Sequence, residues 1–352
     1  MTKKVMFCAI ALSMGSIAMA QSTSEVTQDG DDNSTDVTQI GENHTSTVNI
    51  EGDLNEVYVL QDGSYENTSN VNVTGDENFA NVEQSGSYDI VEINQSGDRN
   101  TANALQGDSN EYGEIYIDQS GDENEAISSQ NGYYNDSYID QSGSYNYANV
   151  DQGGEYNESY VNQSGDENSA EVYQIGEYNF SDIDQGGSYN TANVIQEGGY
   201  AESYISQYGD YNTADVYQAG EEVVSYVTQD GDYNEAVVYQ DGYASYSEID
   251  QSGDYNTADV RQEGDNGSSL ISQSGDYNSA TVYQDGSSTS NIYQYGDEGV
   301  VEVEQYGDDH LSNVTQTDGI GNIATVSQTG YGLTSDIMQI GSNNVANVTQ
   351  SN

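Results

Sequence analysis

The sequence has 352 residues, of which 61 are acidic and four are basic, so its formal net charge is −57 at pH 7. A chain this acidic repels nucleic acids and anionic membranes but can attract cations. It has 38 glycines, 32 tyrosines, one cysteine and no proline or tryptophan, which excludes an intrachain disulfide and is unusual for a globular enzyme.

The N-terminus has the pattern of a secretory signal peptide. Lys3 and Lys4 precede an apolar run from Val5 to Ile17, which Ala18-Met19-Ala20 closes. A basic start, a short apolar run and small residues at the end are typical of such signals. The run is shorter than the roughly 20 residues of a membrane-spanning helix. We therefore predict a signal peptide over residues 1–20.

Cleavage of this signal would leave a chain with almost no positive charge. Cys8, Lys3 and Lys4 would be removed, and only Arg99 and Arg261 would oppose the 61 acids, giving 2 − 61 = −59. High acidity with low hydrophobicity also suits a disordered chain. The regular patterns described next favour a folded repeat protein instead.

One glutamine recurs at every eleventh position through most of the chain. A glycine follows each of these glutamines two positions later, and a fixed period of this kind is typical of stacked repeats. The glutamines are Gln119, Gln130, Gln141, Gln152, Gln163, Gln174, Gln185, Gln196, Gln207, Gln218, Gln229, Gln240, Gln251, Gln262, Gln273 and Gln284. The glycines predicted to lie in turns include Gly209, Gly220, Gly231, Gly242, Gly253, Gly264 and Gly275.

The complete repeat is twice as long as this period, because an Asn-x-Ala segment opens every second unit. Intervening units carry serine at the alanine position, as at Ser203 and Ser225. The repeating asparagines are Asn146, Asn168, Asn190, Asn212, Asn234, Asn256 and Asn278.

Each half-repeat alternates in the way that a β-strand does. Alternate residues of a strand face opposite sides, so one set should face inward and the other should face water. The inward set of one strand is Asn212, Ala214, Val216 and Gln218, and the outward set is Thr213, Asp215 and Tyr217. Residues 219–222 should form a corner in which Gly220 takes a positive φ.

The next strand, from Val223 to Gln229, should return across a second sheet. Ala214 would then face Val227, and Val216 would face Ser225, so a small residue meets a branched one at each level. These patterns predict an all-β fold, a two-sheet parallel β-solenoid (β-arcade). Counting 30 half-repeats gives about 15 rungs of 22 residues.

Residues 22 apart should stack as ladders about 4.8 Å apart, the spacing of neighbouring strands. Gln218 would lie between Gln196 and Gln240, and hydrogen bonds along the ladder would satisfy the buried amides. Ile50 and Val73 occupy glutamine positions, and the step from Gln106 to Gln119 is two positions longer than the regular one. We interpret such irregularities as altered corners and not as domain boundaries.

The repeat resembles the curlin repeat. Asn-x-Ala-x-Val-x-Gln-x-Gly units alternate with Ser-x-Ile-x-Gln-x-Gly units over residues 22–352, and Asn291-Ile292-Tyr293-Gln294-Tyr295-Gly296 is especially similar. The resemblance implies a curlin-like repeat domain over residues 21–352. It also implies a secreted bacterial subunit that polymerises at the cell surface into curli, an extracellular functional amyloid of the biofilm matrix. Its partners would be further copies of itself and an outer-membrane secretion and nucleation machinery.

Assembly also follows from the strand edges. The sequence has no proline and stops at Asn352 inside a unit, so we expect the first and last rungs to expose unpaired backbone groups. An uncapped rung can pair with another molecule head to tail, which produces an open filament. No membrane span and no nucleic acid partner are expected.

The sequence offers no catalytic group. His44 and His310 both occupy asparagine positions, which favours a tolerated substitution in the ladder, and the serines have no paired base. We therefore expect neither an enzyme nor a required cofactor.

Asp210, Asp232, Asp254 and Asp276 should stack one full repeat apart and repel one another. Calcium between rungs would relieve this repulsion, so the four aspartates are candidate ligands, although a solvated acidic face is the simpler interpretation. The alternative function is accordingly a monomeric, acidic, calcium-binding or adhesive β-solenoid at a surface.

Overall fold

The computed structural model describes residues 5–7 and 21–352, and every regular element in them is a β-strand. Apart from Val5–Phe7, the predicted signal peptide lies outside the described residues. The described part of the chain contains no helix that could cross a membrane.

The strands, in chain order, are β1 Val5–Phe7, β2 Thr23–Asp29, β3 Ser34–Gln39, β4 Thr45–Glu51, β5 Glu56–Gln61, β6 Thr68–Thr74, β7 Phe79–Gln84, β8 Ile90–Ser96, β9 Thr101–Gln106, β10 Glu114–Asp122, β11 Glu125–Tyr133, β12 Asp136–Ser144, β13 Tyr147–Glu155, β14 Glu158–Asp166, β15 Ser169–Glu177, β16 Phe180–Ser188, β17 Thr191–Gln196, β18 Glu202–Asp210, β19 Thr213–Gln218, β20 Val224–Asp230, β21 Glu235–Gln240, β22 Tyr246–Ser252, β23 Thr257–Gln262, β24 Ser268–Ser274, β25 Ser279–Asp285, β26 Thr289–Asp297, β27 Val300–Asp308, β28 Leu311–Ile320, β29 Ile323–Tyr331, β30 Thr334–Ile340 and β31 Val345–Ser351.

The chain divides into two compact units, Met1–Gln174 and Ile175–Asn352. In the first unit, the even-numbered strands from β2 to β14 form one parallel sheet and the odd-numbered strands from β3 to β13 form another. Strand β1 pairs antiparallel with β2, where Phe7 lies opposite Val26.

The second unit repeats this arrangement. Strands β16 to β30 form its even-numbered sheet and β17 to β31 its odd-numbered sheet, and all of these pairs are parallel. Residues one repeat apart pair directly, as Gln218 does with Gln240. The 30 strands from β2 to β31 make 15 turns at two strands a turn, so the predicted all-β, two-sheet parallel solenoid is confirmed.

The core of each unit lies between its two sheets. In β19, Ala214, Val216 and Gln218 are buried while the residues between them are half-buried, which is the predicted alternation. Ser128 Oγ donates a hydrogen bond to Ser137 Oγ across the core at 2.9 Å. Ser128 and Ser137 lie four repeats before Val216 and Ser225, respectively. The positions that correspond to Val216 and Ser225 therefore face each other, as predicted.

The irregular steps in the sequence mostly alter corners, although the register of β26 with β28 shifts between Tyr295 and Asp297. Gln119 still pairs with Gln95, although the step between them is longer than a regular repeat, because the extra residues lie in the corner between β9 and β10. The prediction of a single repeat domain over residues 21–352 stays a prediction.

Candidate functional site

The glutamine ladder runs along the core at the end of each strand. Gln196 Nε2 donates to Gln218 Oε1 at 2.9 Å, and Gln218 Nε2 donates in turn to Gln240 Oε1 at 2.9 Å. Gln218 Nε2 also donates to the carbonyl oxygen of Glu202 at 2.9 Å. All sixteen predicted glutamines are buried, so these bonds replace the water that their amides lose.

The asparagine ladder runs in the opposite sense. Asn146 Nδ2 and its backbone N–H both donate to Oδ1 of the preceding Asn124, at 3.1 and 3.0 Å. Asn146 Nδ2 also donates to the carbonyl oxygen of Gly165 at 2.8 Å. All seven predicted asparagines are buried. Within the two ladders, each glutamine amide therefore donates to the next glutamine, whereas the Asn146 amide donates to the preceding asparagine.

The corner glycines divide into two groups, and one prediction about them is wrong. Gly209, Gly231, Gly253 and Gly275 have positive φ values between 106° and 126°, whereas Gly220, Gly242 and Gly264 do not take positive φ. At the corner of Gly220, the left-handed residue is Glu222, with φ 56°. Glycine is still required at position 220, because a Cβ there would lie 2.0 Å from the carbonyl oxygen of Gly242.

Tyrosines hold many of the left-handed corner positions, which the sequence reading missed. Tyr211 has φ 61°, a conformation that costs a residue other than glycine about 1–2 kcal/mol. Its ring stacks on Tyr189 at 4.7 Å and on Tyr233 at 4.8 Å between centroids. Such ring pairs are worth about 0.5–1.5 kcal/mol each, which offsets much of the strain. The Tyr-Asn pair that precedes many of the strands was the available signal.

The four candidate calcium ligands do form one row. The Asp232 carboxylate accepts the backbone N–H of Asp210 at 2.9 Å, that of Asp254 accepts from Asp232 at 2.9 Å, and that of Asp276 accepts from Asp254 at 3.0 Å. Each of these three carboxylates thus has a backbone donor without a metal. Among residues 5–7 and 21–352, no group of three or more His, Cys, Asp or Glu could hold a metal ion. The calcium site stays a prediction.

Both histidines replace asparagines within the core. His44 Nδ1 accepts the N–H of Asn67 at 3.2 Å, and its Nε2 faces the carbonyl oxygen of Gly63 at 3.1 Å. His310 Nδ1 likewise accepts the N–H of Leu333, and its Nε2 faces the carbonyl oxygen of Tyr306, as that of His44 also faces Ile40. Because carbonyl oxygens need a donor, the proton lies on Nε2 in each ring. Both histidines therefore have the structural role that the sequence favoured.

Asp89 is a buried acid at an asparagine position, and the sequence reading overlooked it. Its Oδ1 accepts hydrogen bonds from Asn110 Nδ2 at 2.8 Å and from the backbone N–H of Gly113 at 3.1 Å. Its Oδ2 has no partner among the described residues. Burial raises the pKa of this carboxyl from 3.8 to about 7, against the lowering effect of the two hydrogen bonds.

The repeats match a known family. The model of the curlin associated repeat matches residues 30–63, 121–154, 146–176, 165–198, 190–220, 244–275 and 253–286, which together cover half of the chain. These segments contain most of the glutamine and asparagine ladder. Comparison with curated proteins gave no match.

Proposed function

Because this chain belongs to the curlin family, we propose that it is a secreted structural subunit that polymerises into extracellular curli-type amyloid fibres. The family repeat and the solenoid fold are structural in character and do not by themselves imply an enzyme. In this proposal the subunits join head to tail and form part of a bacterial biofilm matrix.

The match between the two terminal turns carries the proposal. Among the described strands, β30 pairs with β28 alone and β31 with β29 alone, so each has an open edge. The inward residues of β30 are Ser335, Ile337 and Gln339, and those of β2 are Ser24, Val26 and Gln28. Those of β31 are Ala346, Val348 and Gln350, and those of β3 are Thr35, Val37 and Gln39. The last turn of one molecule can therefore pair with the first turn of another in the same strand register as successive turns inside each unit.

The hydrogen-bond direction of the ladder suits the same joint. Gln39 Nε2 donates to Gln61 Oε1 at 2.8 Å, and Gln350 Oε1 accepts from Gln328 Nε2 at 2.8 Å. Gln350 of one molecule would then donate to Gln39 Oε1 of the next. Each joint also pairs two strand edges, which is the main source of amyloid stability. Acidic side chains on the outer faces would discourage association sideways.

Export fits the same proposal. Strand β1 lies within the predicted signal peptide and pairs with part of β2. We propose that removal of residues 1–20 during secretion opens this edge, and that outer-membrane machinery exports and nucleates the subunit. N-terminal sequencing of secreted protein should begin at Gln21. Secreted protein that retains residues 5–7 would contradict this step.

One substitution at the last strand tests the head-to-tail joint. Val348→Asp places a charge at an inward position of β31 and should stop growth at that edge. Thr349→Asp places the same charge on the outward neighbour and should leave growth nearly unchanged. Negative-stain microscopy should show unbranched fibrils for the unmodified chain and the control. Fibre diffraction should show a strand spacing of about 4.8 Å. Stable monomers of the unmodified chain in sedimentation, or equal effects of the two variants, would contradict the proposal.

A further inference from the structure

A groove runs along the outer face of the even-numbered sheet in the first unit, across β8, β10, β12 and β14. Its volume is about 430 Å³. Tyr116, Tyr138 and Tyr160 form one wall, Asp118 and Asp140 lie along the other, and Glu92 lies at one end. The groove therefore combines an aromatic wall with a row of carboxylates.

The aromatic wall is held in place. Tyr116 stacks on Tyr138 at 4.9 Å and Tyr138 on Tyr160 at 4.7 Å, with ring planes within 6° of parallel. The Tyr116 hydroxyl donates to Glu114 Oε2 at 2.9 Å, and the Tyr160 hydroxyl donates to Glu158 Oε1 at 2.5 Å. Both glutamates precede their tyrosine by two residues, whereas the groove aspartates follow by two. The ring hydroxyls are thus held on the side away from the groove carboxylates.

The groove carries uncompensated negative charge. Asp118 and Asp140 are direct register partners on neighbouring strands and are both exposed. The neighbouring side chains partly shield the Asp118 carboxylate from water, and this desolvation, followed by the charges of Asp140 and Glu92, raises its pKa. No lysine or arginine lines the groove. A bound cation would relieve this repulsion.

Arg261 shows which groups hold a positive charge on an outer face of this fold, in its case the face of the odd-numbered sheet. In the second unit, the Arg261 guanidinium carbon lies 4.8 Å from the centroid of the Tyr239 ring. Its Nε donates to Glu263 Oε1 at 2.8 Å. A tyrosine ring and a carboxylate therefore hold this cation together. In the groove the tyrosine rings stack on one another, so their edges and the neighbouring carboxylates line it.

We propose that the groove binds linear polyamines, with ammonium groups paired to Asp118 and Asp140 and the methylene chain packed along the three tyrosines. The carboxylates repeat at about 4.8 Å along the groove, the strand spacing. Amino groups separated by three or four methylenes lie at a comparable distance. An extended apolar wall suits such a chain better than a single hydrated metal ion.

The second unit contains a natural comparison. Tyr204 stacks on Tyr226 at 4.7 Å on the equivalent sheet. The residues two positions later are Ser206 and Thr228, which pair in register and carry no charge. The carboxylates of this row, Asp184 and Asp250, lie on either side of the two uncharged residues and are not neighbours, so this surface should bind polyamines more weakly.

Titration calorimetry with spermidine on the full chain tests the proposal, at about 0.15 M salt, where the screening length is about 8 Å. We expect one site tighter than the general ionic background. Asp118→Asn with Asp140→Asn should weaken that site about 10-fold, because exposed ion pairs contribute modestly. The matched control is Glu125→Gln with Glu171→Gln. It removes the same amount of charge from the other sheet, near Tyr147, and should leave the polyamine site unchanged.

A gain of binding gives an independent test. Ser206→Asp with Thr228→Asp should create a second tight site in the second unit. Circular dichroism would establish that each variant keeps its β-structure. Equal weakening by the two double variants that remove charge, or equal competition from magnesium and spermidine, would overturn the proposal in favour of a diffuse ion atmosphere. Since binding is measured whether or not the chain polymerises, this result is separate from the fate of the proposed fibre function.

Discussion

Asp89→Asn is expected to stabilise the first unit at neutral pH. Asp89 is fully buried in a column of asparagines, and its Oδ2 has no partner among the described residues. A Cβ placed on Gly86 would lie 2.4 Å from this oxygen and 2.0 Å from the carbonyl oxygen of Asn110, so two acceptors face the same small space. An asparagine Nδ2 could donate there, as Asn67 Nδ2 does to the Gly86 carbonyl at 3.1 Å.

The magnitude follows from linkage. The pKa of Asp89 is raised from 3.8 to about 7, and each pKa unit corresponds to about 1.4 kcal/mol, so the ionised residue costs roughly 4 kcal/mol as an upper value. Well below pH 3.8 the carboxyl is neutral in both the folded and unfolded states, and this cost vanishes. Between about pH 4 and 7 the unfolded state releases its proton first, so stability falls as pH rises.

Denaturant unfolding of freshly purified chain, followed by far-ultraviolet circular dichroism from pH 3 to 8, provides the assay. The free energy of unfolding of Asp89→Asn should exceed that of the unmodified chain by an amount that grows between pH 4 and 7 and then levels off. Asp108→Asn, which removes an exposed acid from the corner between β9 and β10, is the control and should change little. Parallel pH curves for Asp89→Asn and the unmodified chain would refute the reasoning.

Three further outcomes are expected. Gln218→Leu combined with Gln229→Leu should slow fibril growth, because the neighbouring glutamines lose hydrogen-bond partners at a cost of about 1–3 kcal/mol per unsatisfied group. Thr213→Ala on the outer face should not slow growth. Equal growth rates for the two variants would contradict the ladder. Gly220→Ala should destabilise the chain by about 1–3 kcal/mol in thermal unfolding, because the added Cβ meets the backbone of the next rung. Gly107→Ala should be tolerated, because the added Cβ would have its nearest neighbour at 3.5 Å. Polymerisation lag times should shorten with added salt and with falling pH, since screening and proton uptake both reduce repulsion between acidic molecules. Coincident lag times in sodium and calcium at matched ionic strength would retire the calcium prediction, and lag times that ignore salt would contradict the acidic ladder.

The sequence by itself determined the fold class and the stacking partners. Period-two alternation assigns Val216 and Gln218 to the core, because a strand offers only two faces. A strict repeat of two half-units then places Gln218 beside Gln240, since equivalent residues of parallel rungs must stack. The same reasoning found the asparagine ladder and the row from Asp210 to Asp276 without any coordinates.

Only the tertiary structure decided how each corner and amide is arranged. Glu222, and not Gly220, takes the left-handed conformation, because the approach of the next rung fixes the path of the backbone there. The opposite donor directions of the glutamine and asparagine ladders depend on which carbonyl oxygens lie within reach of each amide. The repeat register places Asp89 in the asparagine column, but only the structure shows that its carboxylate accepts from Asn110 and Gly113 of the next turn and that its second oxygen has no partner among the described residues.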